Sequence, residues 1–357
     1  MSQPPHTVHP SPPRETSPSS PLAAQQILGH VRTVVDPALR AAVNRLPDSV
    51  RRVAGYHFGW WDEHGRSITT DSGKAVRPAL ALLATQAVGG TAACGLPAAV
   101  AVELVHNASL LHDDIIDRDA TRRHRPTAWS AFGVPAAILA GDALFFLSIH
   151  ILSTAPAPLS TQGLAFLEEA VQQLIDGEYT DTAFEHRTEV TLAQCQAMAQ
   201  AKTSTLIACA CALGALAGGA NPTQTDHLRS FGHHLGIAFQ LVDDLMGIWG
   251  DPAHTGKPHL SDLRAHKKSL PVVAALTTPC PASQELASLY HQNAPLTEHQ
   301  LQHAATLIEA AGGRDWATRQ ADHHLTTALH HLTAADLADH PAAQLATLAH
   351  MIIQRNH

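Results

Sequence analysis

Residues 103–127 read E-L-V-H-N-A-S-L-L-H-D-D-I-I-D-R-D-A-T-R-R-H-R-P-T. On a helix, Asp113 and Asp117 are one turn apart and Asp114 and Asp117 are three residues apart, which allows the three carboxylates to share one face. Like charges on neighbouring turns repel, whereas Mg2+ binds one or two such carboxylates and completes its octahedron with water and phosphate oxygens. Taken alone, the pattern is equally typical of a solvated helix end with ion pairs.

Composition favours an all-α protein. The chain has 357 residues, of which 45% are hydrophobic and only 4% aromatic, and Ala and Leu dominate. The net charge of -8 argues against a basic surface that would bind nucleic acid, and no nucleic-acid-binding motif is present. The five cysteines show no metal-ligand spacing, which indicates a reduced, cytoplasmic setting.

The ends of the chain differ in character. Residues 1–21 contain seven prolines and almost no core-forming side chains, so we expect a disordered Pro/Ser-rich extension. Residues 22–357 are predicted to form a single all-helical domain, with Asp36 capping a second helix that begins at Pro37. No secretory signal opens the chain, and the longest apolar run, 206–217, is too short to span a membrane, so no transmembrane segment is predicted.

A second acidic pair, Asp243-Asp244, ends another apolar helix about 130 residues after the first. The predicted helices of this central region are 96–117, 135–153, 160–184, 191–218 and 223–248. Cationic residues lie between and around the two pairs: Lys74, Arg77, Arg122, Arg123, Lys202, Lys257 and Lys268. Two facing carboxylate clusters would hold several Mg2+ ions around a diphosphate, whose remaining charge these cations would neutralise.

Together these motifs resemble those of the trans-isoprenyl diphosphate synthases over nearly the whole globular part. The first motif comprises Glu103, His106, Ser109, Leu110-Leu111-His112-Asp113-Asp114, Asp117 and Arg122-Arg123. The second comprises Phe239-Gln240, Asp243-Asp244 and Gly256-Lys257-Pro258. The resemblance implies an isoprenoid-synthase-type helical bundle around a deep central cavity, and a homodimer.

The resemblance also implies the reaction and the roles of the residues. A Mg2+-dependent prenyltransferase would condense isopentenyl diphosphate head-to-tail with an allylic diphosphate, using about three ions per site. The implied metal ligands are Asp113, Asp114, Asp117, Asp243 and Asp244, and the catalytic set is Asp113, Asp114, Lys202, Asp243 and Asp244. The allylic diphosphate would be held by Arg122, Lys202, Lys257 and Lys268. Isopentenyl diphosphate would be held by Lys74, Arg77, His106 and Arg123, and the cation region would be lined by Thr203 and Gln240.

Three positions depart from the family pattern. The third Asp of the second motif is Gly247, and Asp251, four residues further on, would have to reach through water. The glycine that usually follows the arginine pair is His124. One cation is missing from the stretch Ser72-Gly73-Lys74-Ala75-Val76-Arg77-Pro78. These changes affect the expected rate and substrate preference more than the reaction class.

Two small residues precede the first motif. Ala108 and Ser109 lie five and four residues before Asp113 and would point to the cavity floor, where synthases that stop at fifteen carbons tend to have an aromatic residue. Small residues here predict a C20 or longer all-trans product, with geranylgeranyl diphosphate as the specific prediction.

Two other features leave alternatives open. The Pro-rich extension resembles the loading segment of polyprenyl synthases proposed as encapsulin cargo, which would place the enzyme inside a protein nanocompartment; the alternative is an inert tail. Among the 26 histidines, the pairs His233-His234, His323-His324 and His330-His331 match no zinc spacing, and no metal is assigned to them.

Two other functions remain compatible with an all-helical chain that carries both acidic motifs. A class I terpene cyclase would use one prenyl diphosphate and would need no isopentenyl diphosphate pocket, which Lys74, Arg77, His106 and Arg123 argue against. A non-catalytic cargo or regulatory homologue is the other alternative, and the retained Asp243-Asp244 pair argues against it.

Overall fold

The computed structural model describes residues 21–68, 73–185, 187–252, 259–290, 292 and 295–354. Within these ranges the protein is almost entirely helical, so the all-α prediction is confirmed. The N-terminal helices are α1 Pro21–Val43, α2 Asp48–His57, α3 Val76–Ala87, α4 Ala92–Ile116, α5 Ala128–Phe132, α6 Val134–Ser153 and α7 Leu164–Glu185. They are followed by α8 Leu192–Ala199, α9 Thr205–Gly218, α10 Pro222–Trp249, α11 Ser261–Arg264, α12 Leu270–Thr277, α13 Pro281–Tyr290, α14 Glu298–Ala310, α15 Gly313–Ala334 and α16 Asp339–Ile353.

The core is built around α4 and α9. Helix α4 packs against α3, α6 and α9, and α10 packs along α9 and α15. Nearly every side chain of α9 is buried, including Leu206, Leu213 and Leu216, which explains its unbroken apolar sequence. Helices α4 and α10 carry the two acidic pairs, and Lys202 lies in the turn just before α9.

Two short π-helical turns interrupt the central helices, at Leu159–Gly163 and Gln200–Ser204. The second joins α8 to α9 and carries Lys202 and Thr203. The sequence predicts one continuous helix over 191–218, and the wider turn in its middle is visible only in the structure. Such π turns are frequent at functional sites because they redirect side chains within a helix.

The predicted break at Pro37 is wrong. Helix α1 is continuous, and Pro37 lies inside it. A proline within a helix removes one hydrogen bond and costs about 3 kcal/mol or more. Leu28, Val31, Val35 and Leu39 are buried on both sides of it, and their packing holds the two halves in line.

A two-residue hairpin follows α4. Strands β1 Thr121–Arg122 and β2 Arg125–Pro126 pair antiparallel, with Arg122 opposite Arg125. The two turn residues, Arg123 and His124, have φ values of 51° and 60°. Both lie in the left-handed region, which is the geometry of a type I′ turn and explains why a glycine is usual at position 124.

Three stretches have the length and composition of membrane spans: Ala92–Ile116, Val134–Ser153 and Leu192–Gly218. In the first and third, 61% and 72% of the apolar window is buried inside the bundle, so core packing accounts for their hydropathy. In α6 the share is 39%. The absence of a transmembrane segment therefore stays a prediction.

Candidate active site

The carboxylates of Asp113 and Asp117, at the end of α4, meet that of Glu178 on α7. One oxygen from each lies within 4.8 Å of the others. All the donors are carboxylate oxygens, which is the ligand type that Mg2+ prefers. The predicted acidic metal site therefore fits Mg2+, and Glu178 belongs to it although the sequence interpretation did not include it.

Lys202 projects into this cluster from the π turn. Its Nζ lies 2.7 Å from Asp181, 2.9 Å from Glu178 and 3.3 Å from Asp113. Gly177 makes this possible, because a Cβ at that position would be 2.4 Å from the Lys202 backbone nitrogen. Only glycine allows α7 to approach the turn so closely.

Burial and neighbouring charges together shift the pKa values of this cluster. Burial raises the pKa of Asp117 to about 6, with the charge of Asp113 as the next cause. Burial likewise raises the pKa of Glu178 to about 7, against the opposing charge of Lys202. For Lys202, burial lowers the pKa, but the charges of Asp181, Asp113 and Glu178 together outweigh it and the net shift is upward. Lys202 therefore stays protonated and the carboxylates retain affinity for protons, as expected of groups arranged to share cations.

Asp114 does not belong to the cluster of Asp113, Asp117 and Glu178. It is 1% exposed and accepts a 2.6 Å hydrogen bond from Nε of Arg122, whose Nη2 lies 3.3 Å from Asp113. Burial raises the pKa of Asp114 to about 6 despite this arginine. The three carboxylates therefore do not converge as the helical spacing suggested: Asp114 orients Arg122, and its role as a metal ligand stays a prediction.

The second wall is formed by the end of α10. Asp244 is buried and accepts hydrogen bonds from Nε2 of Gln240 at 2.7 Å and from the Leu270 backbone N–H at 2.8 Å. Burial raises its pKa to about 7. Thr203 donates to Oε1 of Gln240 at 2.5 Å, so the structure brings together two residues predicted to line the cation region. Asp243 is exposed and accessible.

Lys267 lies within electrostatic range of acidic groups on both walls. Burial lowers its pKa, but the charges of Asp244, Asp262 and Asp181 outweigh that effect and the net shift is upward. Lys268, the predicted diphosphate ligand, instead donates to the Phe184 carbonyl at 2.7 Å. The charges around Lys267 thus favour it over Lys268 as the cation beside the acidic groups, and the substrate-binding role of Lys268 stays a prediction. The predicted ligand Lys257 lies outside the described residues.

Asp262 occupies the space beside Gly247. A Cβ at position 247 would lie 2.3 Å from Oδ2 and 2.5 Å from Oδ1 of this buried carboxylate. Asp251, which the sequence suggested as a substitute for the missing third Asp, is exposed at the end of α10. A carboxylate is therefore present against Gly247, but it comes from α11.

The predicted isopentenyl diphosphate residues form a basic corner. Nη1 of Arg77 lies 3.3 Å from Nε2 of His106. Burial lowers the pKa of Arg77 to about 10, and burial together with the charges of Arg77 and Arg123 lowers the pKa of His106. His106 is therefore neutral and the arginines carry the charge. Lys74 is exposed just before α3.

An apolar cavity of about 700 Å³ opens beside the acidic cluster. Its lining includes Ser109, Leu174 and Phe145, and also Ile116 and Glu178 at the acidic end. Ala108 is fully buried behind this wall. Ser109 therefore belongs to the cavity lining and Ala108 does not, and the chain-length role of both residues stays a prediction.

Comparison with known proteins identifies the family. Residues 59–308 match the model described as polyprenyl synthetase. The chain belongs to the polyprenyl synthetase family. The resemblance to trans-isoprenyl diphosphate synthases is thereby confirmed, as is the reaction class at the level of the family, condensation of isopentenyl diphosphate with an allylic diphosphate.

Individual relatives agree on the family and differ in product. A (2E,6E)-farnesyl diphosphate synthase of Mycobacterium tuberculosis is 44% identical over 332 residues, covering 92% of each chain. A geranylgeranyl diphosphate synthase of the same organism is 42% identical over 304 residues, covering 85% of this chain and 87% of the other. The crystal structure of a polyprenyl synthetase from Streptomyces coelicolor matches with a TM-score of 0.89 and 45% identity, over 92% of this chain and 99% of that one. Because nearly equal identities accompany two product names, similarity alone does not decide product length.

Four site residues of this polyprenyl synthetase were missed from the sequence: Glu178, Asp181, Asp262 and Lys267. A signal existed for the first two, because they are three residues apart on α7, directly after Gly177. For Lys267 and Asp262 the sequence held no comparable signal. Their side chains reach the site because α11 packs against α10.

Proposed function

We propose that this chain is a Mg2+-dependent prenyltransferase that condenses isopentenyl diphosphate with an allylic diphosphate to give geranylgeranyl diphosphate. The observation that carries the proposal is the direct contact between the acidic cluster and the apolar cavity, since Glu178 and Ile116 belong to the cavity lining. A diphosphate head at the cluster would thus direct its hydrocarbon tail into the cavity.

The chain's own residues would bind and orient the two substrates. Asp113, Asp117 and Glu178 would hold Mg2+ on the first wall, and Asp243 and Asp244 would face them from the second, with about three ions per site. When bound, the metal would offset the negative charge that grows on the leaving diphosphate. Arg77, Arg123 and Lys74 would hold isopentenyl diphosphate, and the neutral His106 would position Arg77.

The reaction itself depends more on charge stabilisation and on the exclusion of water than on acid or base catalysis. The bond between the allylic carbon and the diphosphate oxygen breaks, and the electron pair leaves with the diphosphate. The double bond of isopentenyl diphosphate then forms the new carbon–carbon bond, and a proton passes to the departed diphosphate. Lys202 and Lys267 would stabilise that diphosphate, while the hydrogen-bonded pair Thr203 and Gln240 would face the cation with oxygen dipoles. The apolar lining of the cavity would disfavour water that could otherwise trap the cation.

Product length follows from the cavity. The small side chain of Ser109 leaves the end of the cavity near α4 open, which supports a C20 product over a C15 product. Ser109→Phe would place a ring inside the cavity and should shorten the product to C15. Ala108→Phe, from behind the wall, should shorten it less. If both variants kept the wild-type product, the floor would lie elsewhere.

One assay separates the proposal from the alternatives. The protein is incubated with Mg2+, labelled isopentenyl diphosphate and, in turn, allylic diphosphates of five, ten and fifteen carbons. Elongated diphosphates support the synthase, with C20 and C15 end products deciding between the two product classes. Hydrocarbons released from a single diphosphate would indicate a terpene cyclase, and absence of any turnover would indicate the non-catalytic homologue.

We also propose a homodimer. Helix α6 exposes Ile138, Leu139, Phe146 and Ile149, at 41%, 59%, 74% and 48% respectively. Tyr179 on α7 is 76% exposed, so the apolar surface continues across both helices. A second copy of the same face would cover it. Phe146→Glu should give a monomer by analytical ultracentrifugation, whereas a monomeric wild type would contradict the dimer.

The N-terminal extension lies outside the described residues except for Pro21, where α1 begins. Its Pro-rich composition supports a cytoplasmic enzyme that is loaded into an encapsulin shell through residues 1–21. Co-expression with a shell protein, with and without this segment, tests that proposal. Equal co-purification of both forms would favour the inert tail.

A further inference from the structure

A line of four histidines crosses the interface of α10 and α15. His227 and His234 are seven residues apart on α10, and His324 and His331 are seven residues apart on α15. Seven residues are two helical turns, so each pair lies on one face of its helix. The ring centroids follow the order His227, His331, His234, His324, in steps of 5.4, 5.6 and 5.1 Å. We call these four side chains the histidine ladder.

Each end of the histidine ladder brings two ring nitrogens together across the interface. Nδ1 of His234 lies 2.8 Å from Nδ1 of His324, and Nδ1 of His227 lies 3.1 Å from Nδ1 of His331. Such a contact requires one neutral ring to donate and the other to accept. Two nitrogens bound to one tetrahedral Zn2+ at about 2.0–2.1 Å lie roughly 3.3 Å apart, so a small opening of each pair gives a metal-binding geometry.

The surroundings lower the pKa of His234, His324 and His331 and so favour their neutral form. Burial lowers the pKa of His234 to about 4, and the neighbouring His324, His233, His331 and His323 add to that effect. Burial also lowers the pKa of His324 to about 4. Arg229, the cation that acts on His233, is itself paired with Glu169 at 2.9 Å. At neutral pH the pair His234 and His324 therefore offers imidazole lone pairs, with no proton to displace from the charged form.

We propose that the histidine ladder is a binding site for borderline transition-metal ions such as Zn2+, Ni2+ or Cu2+, with one ion held by each Nδ1 pair. All four rings are half-buried, which leaves room for water to complete the coordination. Imidazole donors select these ions over Mg2+, so the site is distinct in chemistry from the acidic cluster. An ion here would link α10, which carries Gln240 and Asp244, to α15.

The test compares two double variants of α15. His324→Ala with His331→Ala removes one partner from each Nδ1 pair, whereas His323→Ala with His330→Ala removes two exposed histidines next to them. Zn2+ binding to the metal-stripped full chain is measured by calorimetry in excess Mg2+, and thermal unfolding is followed with and without Zn2+. Wild type and the control should bind up to two more Zn2+ ions than the ladder variant and should show a larger Zn2+-dependent rise of Tm.

Cu2+ provides an independent readout. Its electron paramagnetic resonance spectrum should show nitrogen ligation in the wild type, and this signal should be lost in the ladder variant. If the alanine variant fails to fold, His324→Gln with His331→Gln preserves polar packing and replaces it. Equal Zn2+ stoichiometry, Tm rise and Cu2+ spectra in the ladder variant and the control would overturn the proposal.

Discussion

The carboxylate of Asp262 fills the volume into which a side chain at Gly247 would project, with Oδ2 only 2.3 Å from the position of a Cβ. The family pattern has an aspartate at position 247, whereas this chain has a glycine there and a buried Asp262 from α11 beside it. A carboxyl group is therefore retained at this point of the second wall although it is lost from the motif. Lys267 lies within electrostatic reach of Asp262 and of Asp244.

Restoring the family residue should harm this protein. Gly247→Asp would force two carboxylates into one buried volume, and we expect a loss of about 1–3 kcal/mol in the free energy of unfolding and lower activity. Adding Asp262→Gly should recover part of both losses, because one carboxylate again occupies the volume. Urea unfolding and steady-state kinetics measure the effects. Higher activity of the single variant would show that Asp262 is not a substitute.

Lys267 and Lys268 should differ in what they affect. Lys267→Ala removes a cation that acts on Asp244 and Asp262, and we expect kcat/KM to fall about 10²-fold. Lys268→Ala loses its hydrogen bond to the Phe184 carbonyl, and we expect about 1 kcal/mol less stability with kcat/KM changed by less than about threefold. Because the two lysines are adjacent, each variant is the control for the other. A larger kinetic effect at Lys268 would restore the original prediction for that residue.

Gly177→Ala should displace Lys202. The added Cβ would meet the Lys202 backbone nitrogen at 2.4 Å, so α7 or the π turn has to move. We expect a loss of about 1–3 kcal/mol in stability, together with a clear loss of activity. Gly29→Ala is the matched control: a Cβ at that helical position meets nothing within 4 Å, so we expect a gain of about 0.5–1 kcal/mol. Full activity of Gly177→Ala would contradict the placement of Lys202.

Mg2+ affinity should weaken as pH falls from 7.5 to 6. The pKa of Glu178 is raised to about 7 and that of Asp117 to about 6, so protons compete with the cation for these oxygens in this range. At pH 7 about half a proton should leave Glu178 when Mg2+ binds. Calorimetry in two buffers of different ionisation enthalpy measures both quantities. Glu178→Gln should remove most of the pH dependence, and an unchanged affinity at pH 6 would contradict the cluster assignment.

His124→Gly should stabilise the hairpin that holds Arg122. His124 has a φ of 60°, a conformation that costs a non-glycine residue roughly 1–2 kcal/mol. Glycine also gains entropy in the unfolded chain, so the expected net gain is about 0.5 kcal/mol. His124→Val, with its branched side chain, should destabilise the protein by more than this amount. Urea unfolding at a fixed Mg2+ concentration measures the change in the free energy of unfolding and shows whether each variant is stabilised or destabilised.

Local sequence was sufficient for the helical class and for most helix boundaries near the site. The apolar periodicity that ends at Asp113 places α4, and the second periodicity places α10 with Gln240 and Asp244 one turn apart. Both follow from spacing of about 3.6 residues per turn, which is a property of the chain over short distances. Pro37 was misread because the sequence shows the local penalty but not the packing of α1 that overcomes it.

Long-range placement decided the rest. The sequence established two acidic motifs, a set of cations and small residues before the first motif. Each of these features was recognised from residues that are neighbours along the chain. Only the folded protein turns Asp114 away towards Arg122 and brings Glu178 into its place. The folded protein likewise places Asp262 against Gly247. It brings Lys267, rather than Lys268, within electrostatic range of Asp244 and Asp262. These outcomes depend on how closely helices approach and on which side of each helix is buried, and neither is encoded in the spacing of a motif.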